Sequence, residues 1–308
     1  MTRDEVLNSI NLKKRFCKDC QLPIAVFDNP YFLERLSILD RITDASAKFY
    51  QFCDELQNFK DEQSYFEYYN AVKDVVIDHI KSNDAFIRFN ATPIPAKPKT
   101  TVGRTNVYAD HNDGKQFISI DMRKANFSAM KIFDPNIVDN ADNWQQFIGQ
   151  FTEMSHIKES KYVRQVILGA CNPKHQIMYE SYLMAKLAVS MTQQLGTAFY
   201  SVGEDELIIQ FKDENQFQQI EEFIRSYHDD MCADNVRVEL YSLHKLGTYG
   251  WTKLILNTQP TTRQFKCIDA EIFHQVIKRY YNIPITDNDL VFYHNGQLAK
   301  FLKPIERI

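Results

Sequence analysis

The stretch Ala198-Phe199-Tyr200-Ser201-Val202-Gly203-Glu204-Asp205-Glu206-Leu207-Ile208-Ile209-Gln210-Phe211 decides how this chain is read. Two apolar, strand-forming runs flank a Gly-acid-acid-acid tip, which predicts a β-hairpin. Three consecutive like charges repel one another unless a cation joins them. A further acid ends a second apolar run, Phe117-Ile118-Ser119-Ile120-Asp121-Met122. A strand ending in Asp beside an acid-tipped hairpin sets carboxylates together, and hard cations take oxygen ligands. Asp121, Glu204, Asp205 and Glu206 are the candidate metal ligands, and Asp121, Asp205 and Glu206 the candidate catalytic residues. In a strand Asp205 points away from Glu204 and Glu206, but at a turn two of the three can reach one site. The alternatives are that Asp121 caps a helix starting at Met122 and that the tip is a solvated turn.

Helical patterns surround these runs. Asp28-Asn29-Pro30 opens a helix whose apolar positions are Phe32, Leu33, Leu36, Leu39 and Ile42. Further amphipathic stretches run from Phe49 through Phe59 and from Tyr65 through Ile80. The proline-rich segment 92–99 reads as an extended linker. Asn112-Asp113-Gly114 predicts a turn joining Val107-Tyr108 to the strand at 116–121 as a hairpin. A helix starts after Asp121, two helical patterns fill 143–170, and Asn172-Pro173 interrupts them. The most regular helix covers 175–195 and stops at Gly196. A helix at 214–228, strands at 236–241 and 249–256, a helix at 269–281 and a hairpin turning on His294-Asn295-Gly296 complete the chain. The order predicts an α+β fold, an antiparallel sheet with helices on one face in a ferredoxin-like arrangement. Three regions are expected: a helical region 1–91, a central domain 105–256 and a small α/β appendage 260–308.

The chain has 308 residues, 44% hydrophobic and 25% charged, with a net charge of -4. This is ordinary for a globular protein, and a local basic groove is compatible with the weak acidic balance. No apolar run reaches the ~18 residues of a membrane span. The N-terminus lacks a signal-peptide apolar core, so the cytoplasm, or a host cytoplasm, is the expected compartment. Of the 6 cysteines, Cys17 and Cys20 form one C-x2-C pair. No second pair follows at zinc-ribbon spacing, and reduced thiols are the plainer reading.

Basic residues lie between and beside the acidic runs. Lys161 and Arg164 share a helix face, and Arg123 and Lys124 follow Asp121 directly. These four suit phosphate oxygens, although a solvated helix face is an equally good account of Lys161 and Arg164. The segment His244–Lys253 brings Lys245 and Lys253 as further phosphate contacts, with Tyr249 and Trp251 as stacking surfaces or as structural aromatics of a hairpin. The sequence contains no Walker A motif, no GxGxxG and no Ser-His-Asp pattern.

The segment Tyr200–Ile209 resembles the signature hairpin of GGDEF-type nucleotidyl cyclases, with Glu204 at the second Gly and Leu207 at the Phe. Ile118-Ser119-Ile120-Asp121 resembles motif A of the wider palm superfamily, which includes reverse transcriptases and tRNA-His guanylyltransferases; Ser119 stands where a second acid occurs. The resemblance covers roughly 105–256. It implies two Mg2+ (or Mn2+) ions, nucleoside triphosphates as substrates, Asp121 as the first-motif ligand and Asp205 with Glu204 or Glu206 as the hairpin ligands. It also implies a basic helix between the motifs that holds the triphosphate. A nucleic-acid primer or template is the expected partner, with the N-terminal helices as fingers. A nucleotidyl cyclase or cyclic-oligonucleotide synthase is the second reading, and a non-catalytic nucleic-acid-binding palm relic the third. Oligomeric state is left open.

Overall fold

The computed structural model describes residues 1–227, 231 and 233–308. The chain begins with α1 (Arg3–Asn8), α2 (Ile10–Asp19), α3 (Tyr31–Leu39), α4 (Ala45–Leu56), α5 (Glu62–Ser82) and α6 (Asp84–Ala91). Side-chain caps start several of them: Thr2 accepts from the Glu5 amide, and Asp61 from that of Ser64. After the extended segment 93–99 come β1 (Gln116–Met122), α7 (Ala125–Phe133), α8 (Trp144–Ile148), α9 (Ser155–Glu159), α10 (Lys161–Gly169) and α11 (Pro173–Leu195). Then follow β2 (Ser201–Val202), β3 (Glu206–Gln210), α12 (Glu214–Ser226), β4 (Val236–Lys245), β5 (Trp251–Ile255) and β6 (Thr262–Lys266). The chain ends with α13 (Phe273–Tyr280), β7 (Val291–His294) and β8 (Gln297–Lys300).

The architecture is α+β. Six strands form one antiparallel sheet in the order β2-β3-β1-β4-β5-β6, and β7-β8 form a separate hairpin. Alternation splits β1 between two faces. Ile118, Ile120 and Met122 join Leu183, Leu187 and Met191 of α11 and Phe217, Ile220 and Ile224 of α12 in one core. The opposite face is apolar only at the Gln116 end of β1, where Phe117, Tyr241, Leu243, Trp251 and Ile255 are covered by Val107. At its other end that face carries charged residues.

Several expectations are revised. Val107-Tyr108 forms no strand with β1, whose neighbours are β3 and β4 instead. The turn at Asn112–Gly114 is present, but it hands Gly114 N–H to the Leu243 carbonyl at 2.8 Å. The segment 143–170 holds three short helices rather than two. Asn172 caps α11, with φ 57° and Pro173 at the first turn, so the interruption is a helix start. The expected helix 214–228 ends at Ser226 in the structure, and its last expected residue lies outside the described residues. The sheet also continues past 256 into β6, inside the region assigned to the appendage.

The N-terminal helices share a core with helices from the middle of the chain. Phe16, Phe32, Phe49, Phe52, Tyr65 and Phe89 share one core with Phe127, Trp144, Phe147, Ile167 and Leu168 from α7 to α10, and with Phe273 and Ile277 of α13. The appendage is pinned to the same layer: Arg35 of α3 donates to the Val291 carbonyl at 2.9 Å and to that of Asn288 at 3.2 Å. No helix among the described residues is long and apolar enough to cross a membrane.

Candidate functional site

Asp121 lies within β1, and the next helix starts at Ala125, so it caps nothing. It pairs directly with Glu206 of β3 and Arg237 of β4. Cross-strand partners project from one face with Cβ atoms ~5 Å apart, which sets the Asp121 and Glu206 carboxylates side by side. Ser119, two residues back on the same face, donates its hydroxyl to Glu206 Oε1 at 2.6 Å. Ser119 thus orients an acid on the next strand.

The rest of the acidic tip is placed differently. Glu204 and Asp205 are exposed, and Glu204 reaches Arg104 at 3.7 Å. Gly203 N–H donates to the Glu206 carbonyl at 2.8 Å, and Met122 N–H to the Asp205 carbonyl at 2.8 Å, which ties the tip to the end of β1. A Cβ on Gly203 would stand 2.9 Å from the Glu206 carbonyl oxygen, so the tight tip requires glycine. Burial raises the Asp121 carboxyl to about 6; Arg237 opposes this, and the charges of Glu206, Asp205 and Glu239 add to it.

A charge ladder continues across the sheet. Arg237 Nη2 binds Asp121 Oδ2 at 2.8 Å, and its Nε binds Glu239 Oε1 at 3.1 Å. Glu239 Oε2 in turn accepts from Lys253 Nζ at 2.7 Å, and that ammonium lies 4.2 Å from the Tyr241 ring centroid. Glu239 and Lys253 are 4% and 7% exposed, so Lys253 is a buried partner of Glu239 rather than a free phosphate contact. Burial and the Lys253 charge lower the Lys266 ammonium on β6, which also feels Glu239, Lys161 and Glu206.

The cationic side is built by the helices between the two acidic motifs. Arg164 is 9% exposed, its Nε has no acceptor, and no ion pair to it exists among the described residues. Burial alone lowers its pKa. A desolvated cation without a counter-ion is costly unless an anion completes it. Lys124 is held near it in a left-handed conformation (φ 49°), with its ammonium donating to Gln145 Oε1. Burial and the neighbouring Arg164 lower the Lys124 pKa, while Glu159 raises it. Gln145 bridges onward to Glu159 at 3.2 Å.

Some candidates stand apart. Arg123 is exposed and donates to the Val236 carbonyl at 2.8 Å. Lys245 pairs with Asp110 at 2.7 Å at the opposite end of β4 from Arg237, ~26 Å away at strand rise. Trp251 is buried in the sheet-face core and is not available to stack on a base, whereas Tyr249 is half-buried beside Leu246 and Val276. The Cys17 thiol is buried and raised by burial, and Cys20 is pushed up to about 11, so neither is a ready thiolate.

Arg237, Glu239, Lys266 and Gln145 belong to the site although sequence reading did not select them. The alternation Arg237, Glu239, Tyr241 between apolar Val236, Val238 and Leu240 was the available signal for the first two. The site is a carboxylate pair at the end of a central strand, and Lys266 of β6 feels both its Glu206 and Lys161 of the cationic helices. Its oxygen donors suit a hard divalent cation, and its buried guanidinium suits a phosphate-like anion. Compared with known protein families, with curated proteins and with solved structures, the chain matches none of them.

Proposed function

We propose that this chain is a palm-type, metal-dependent nucleotidyltransferase that adds nucleotides to a nucleic-acid primer. The observation that carries the reading is the register pair Asp121–Glu206, linked through Lys266, which feels both Glu206 and Lys161, to the helix that bears the unpaired, buried Arg164. The strand order β2-β3-β1-β4, with helices between β1 and β2 and between β3 and β4, supports a ferredoxin-like palm, since that is the order of the split βαβ unit.

In this reading Asp121, Glu206 and the Asp205 tip hold Mg2+ or Mn2+. Two such ions supply hydroxyl activation and charge neutralisation on departing pyrophosphate. The fit rests on hard oxygen donors and on crowded like charges that a cation relieves. Ser119 orients Glu206, and Arg237 balances the Asp121 charge. Arg164, Lys124 and Lys161 bind phosphate oxygens, and Lys266 closes the shelf from the sheet side.

The test is incubation of the purified protein with each labelled NTP and dNTP and Mg2+ or Mn2+, with and without short RNA or DNA primers. Extended primers with pyrophosphate release are expected, and Asp121→Asn should lower turnover by several orders of magnitude with an unchanged circular dichroism spectrum. A cyclic or short linear product without primer would replace this reading with the cyclase one. Full activity in Asp121→Asn would remove the site assignment.

A further inference from the structure

Between the N-terminal helices and the start of α10 lies a cavity of about 560 Å³. Its walls include Gln21, Lys48, Gln51, Ser155, Glu159 and Lys161. This volume lies in the range of small-molecule sites, ~300–1,000 Å³. Two wall residues belong equally to the cationic shelf. Lys161 shares a face of α10 with Arg164, and Glu159 accepts from Gln145, which holds Lys124. The cavity and the anion shelf therefore adjoin through a single turn of backbone, 159–161.

The lining has a distinct chemistry. Lys48 and Lys161 line it with Glu159, while Asp19 is already taken by Arg15 at 3.0 Å, Tyr69 at 2.9 Å and Ser160 at 3.0 Å. His156 is also committed, with Glu55 on one ring nitrogen and Tyr65 on the other. Gln21 and Gln51 are exposed and Ser155 is half-buried, so their amide and hydroxyl groups are open to solvent or to a ligand in the cavity. A chamber lined by amide and hydroxyl groups, with its buried Asp19 and His156 already paired, suits a polar, hydrogen-bonding body. The shelf beside it suits an anion. One molecule has both parts: a nucleoside with a phosphate tail.

We infer that this cavity receives the nucleoside part of the nucleotide, with Gln51 and Gln21 as specificity-determining residues that read base or sugar edges while Arg164 and Lys124 hold the phosphates. The inference rests on the proposed nucleotide chemistry and names the part of the molecule that selects among nucleotides. Discrimination by such a site comes from its own polar groups, which go unpaired when the wrong ligand binds.

The experiment is calorimetric titration of the full chain, in Mg2+, with each of the four ribonucleoside triphosphates and with inorganic tripolyphosphate. The wild type is expected to prefer at least one nucleoside triphosphate over tripolyphosphate by about tenfold or more. Gln51→Leu, an exposed position on α4, should cut that preference to within about threefold and leave tripolyphosphate binding in place. Lys48→Met provides a second wall variant with the same expected loss. Arg164→Met should weaken both classes of ligand together. Equal binding of both classes by the wild type, or an undiminished preference in both wall variants, overturns the cavity assignment while the phosphate shelf stands. No binding of either class overturns the nucleotide reading itself.

Discussion

Arg164 holds the clearest tension at the residue scale. A folded protein rarely keeps a buried guanidinium without an acceptor, because desolvation costs several kcal/mol per ion. Arg164 has an orphaned Nε and no ion pair among the described residues, and its neighbours are the cations Lys124 and, along the helix, Lys161. Replacing it with methionine removes the unpaired charge and keeps most of the volume. Arg164→Met is therefore expected to leave thermal stability unchanged or raise it, while nucleoside triphosphate affinity falls by about tenfold or more. Paired melting and titration measurements check this, and a large loss of stability would instead give Arg164 a structural role. Arg164 was readable from helical spacing as a candidate phosphate contact, but its lack of a counter-charge depends on what α7 and α9 bring beside it.

At the scale of elements, the hairpin tip and helix α13 carry the predictions. Gly203 must admit the Glu206 carbonyl at a distance that a Cβ would close to 2.9 Å against backbone. Gly203→Ala should displace the tip, misalign Glu206 with Asp121 and reduce turnover by about a hundredfold, at a stability cost of about 1–3 kcal/mol. Turnover assays and urea titration of the variant measure both. On α13, His274 is buried, donates from Nε2 to the Asp289 carbonyl at 2.7 Å and stands near Arg35 and Lys278. Burial, then the Arg35 charge, lowers its pKa to about 4, against 6.5 for an ordinary imidazole. The folded state thus disfavours the protonated ring. Its contribution to stability is full above about pH 6.5 and is lost as the pH falls toward 4, by up to roughly 3 kcal/mol. Urea titrations at pH 7 and pH 5 should show this slope in the wild type and a shallower one in His274→Gln, where the amide still donates to Asp289.

For elements, too, the sequence was uneven. The 3.6-residue pattern of α11 and its stop at Gly196 were legible, as was the acidic hairpin, because both are local, whereas Asn172-Pro173 read as an interruption and is the helix start. The partner of β1 was not: Asn112-Asp113-Gly114 signalled a hairpin with 107–108, yet the strands that pair are far along the chain. Hairpin signals report a turn, and which edges then pair is decided by burial of both sheet faces.

At the scale of the whole molecule, the helical core crosses the expected regional boundaries. Residues from Val6 to Ile277 contribute to one cluster, in which α7–α10, inserted between β1 and α11, are covered by α2–α6. The fragment 105–256, expressed alone, would expose Phe127, Phe147, Ile167 and Leu168 and would lack β6 on the sheet edge. It is expected to be aggregated or to lose near-ultraviolet circular dichroism and cooperative melting, whereas the full chain keeps both. Independent cooperative folding of the fragment would separate the N-terminal helices from the central unit after all.

What the sequence by itself determined was local: apolar runs that form β1 and β3, an acid-rich hairpin tip beside Gly203, and amphipathic helices. These follow from periodicity and backbone sterics, which act over a few residues. The tertiary structure alone decided that Glu206 rather than Glu204 stands beside Asp121, that Arg237 and Glu239 enter the same face, and that Lys245 is held at the far end of β4. Strand register fixes those choices, and register is set by which faces can be buried against helices remote in the chain.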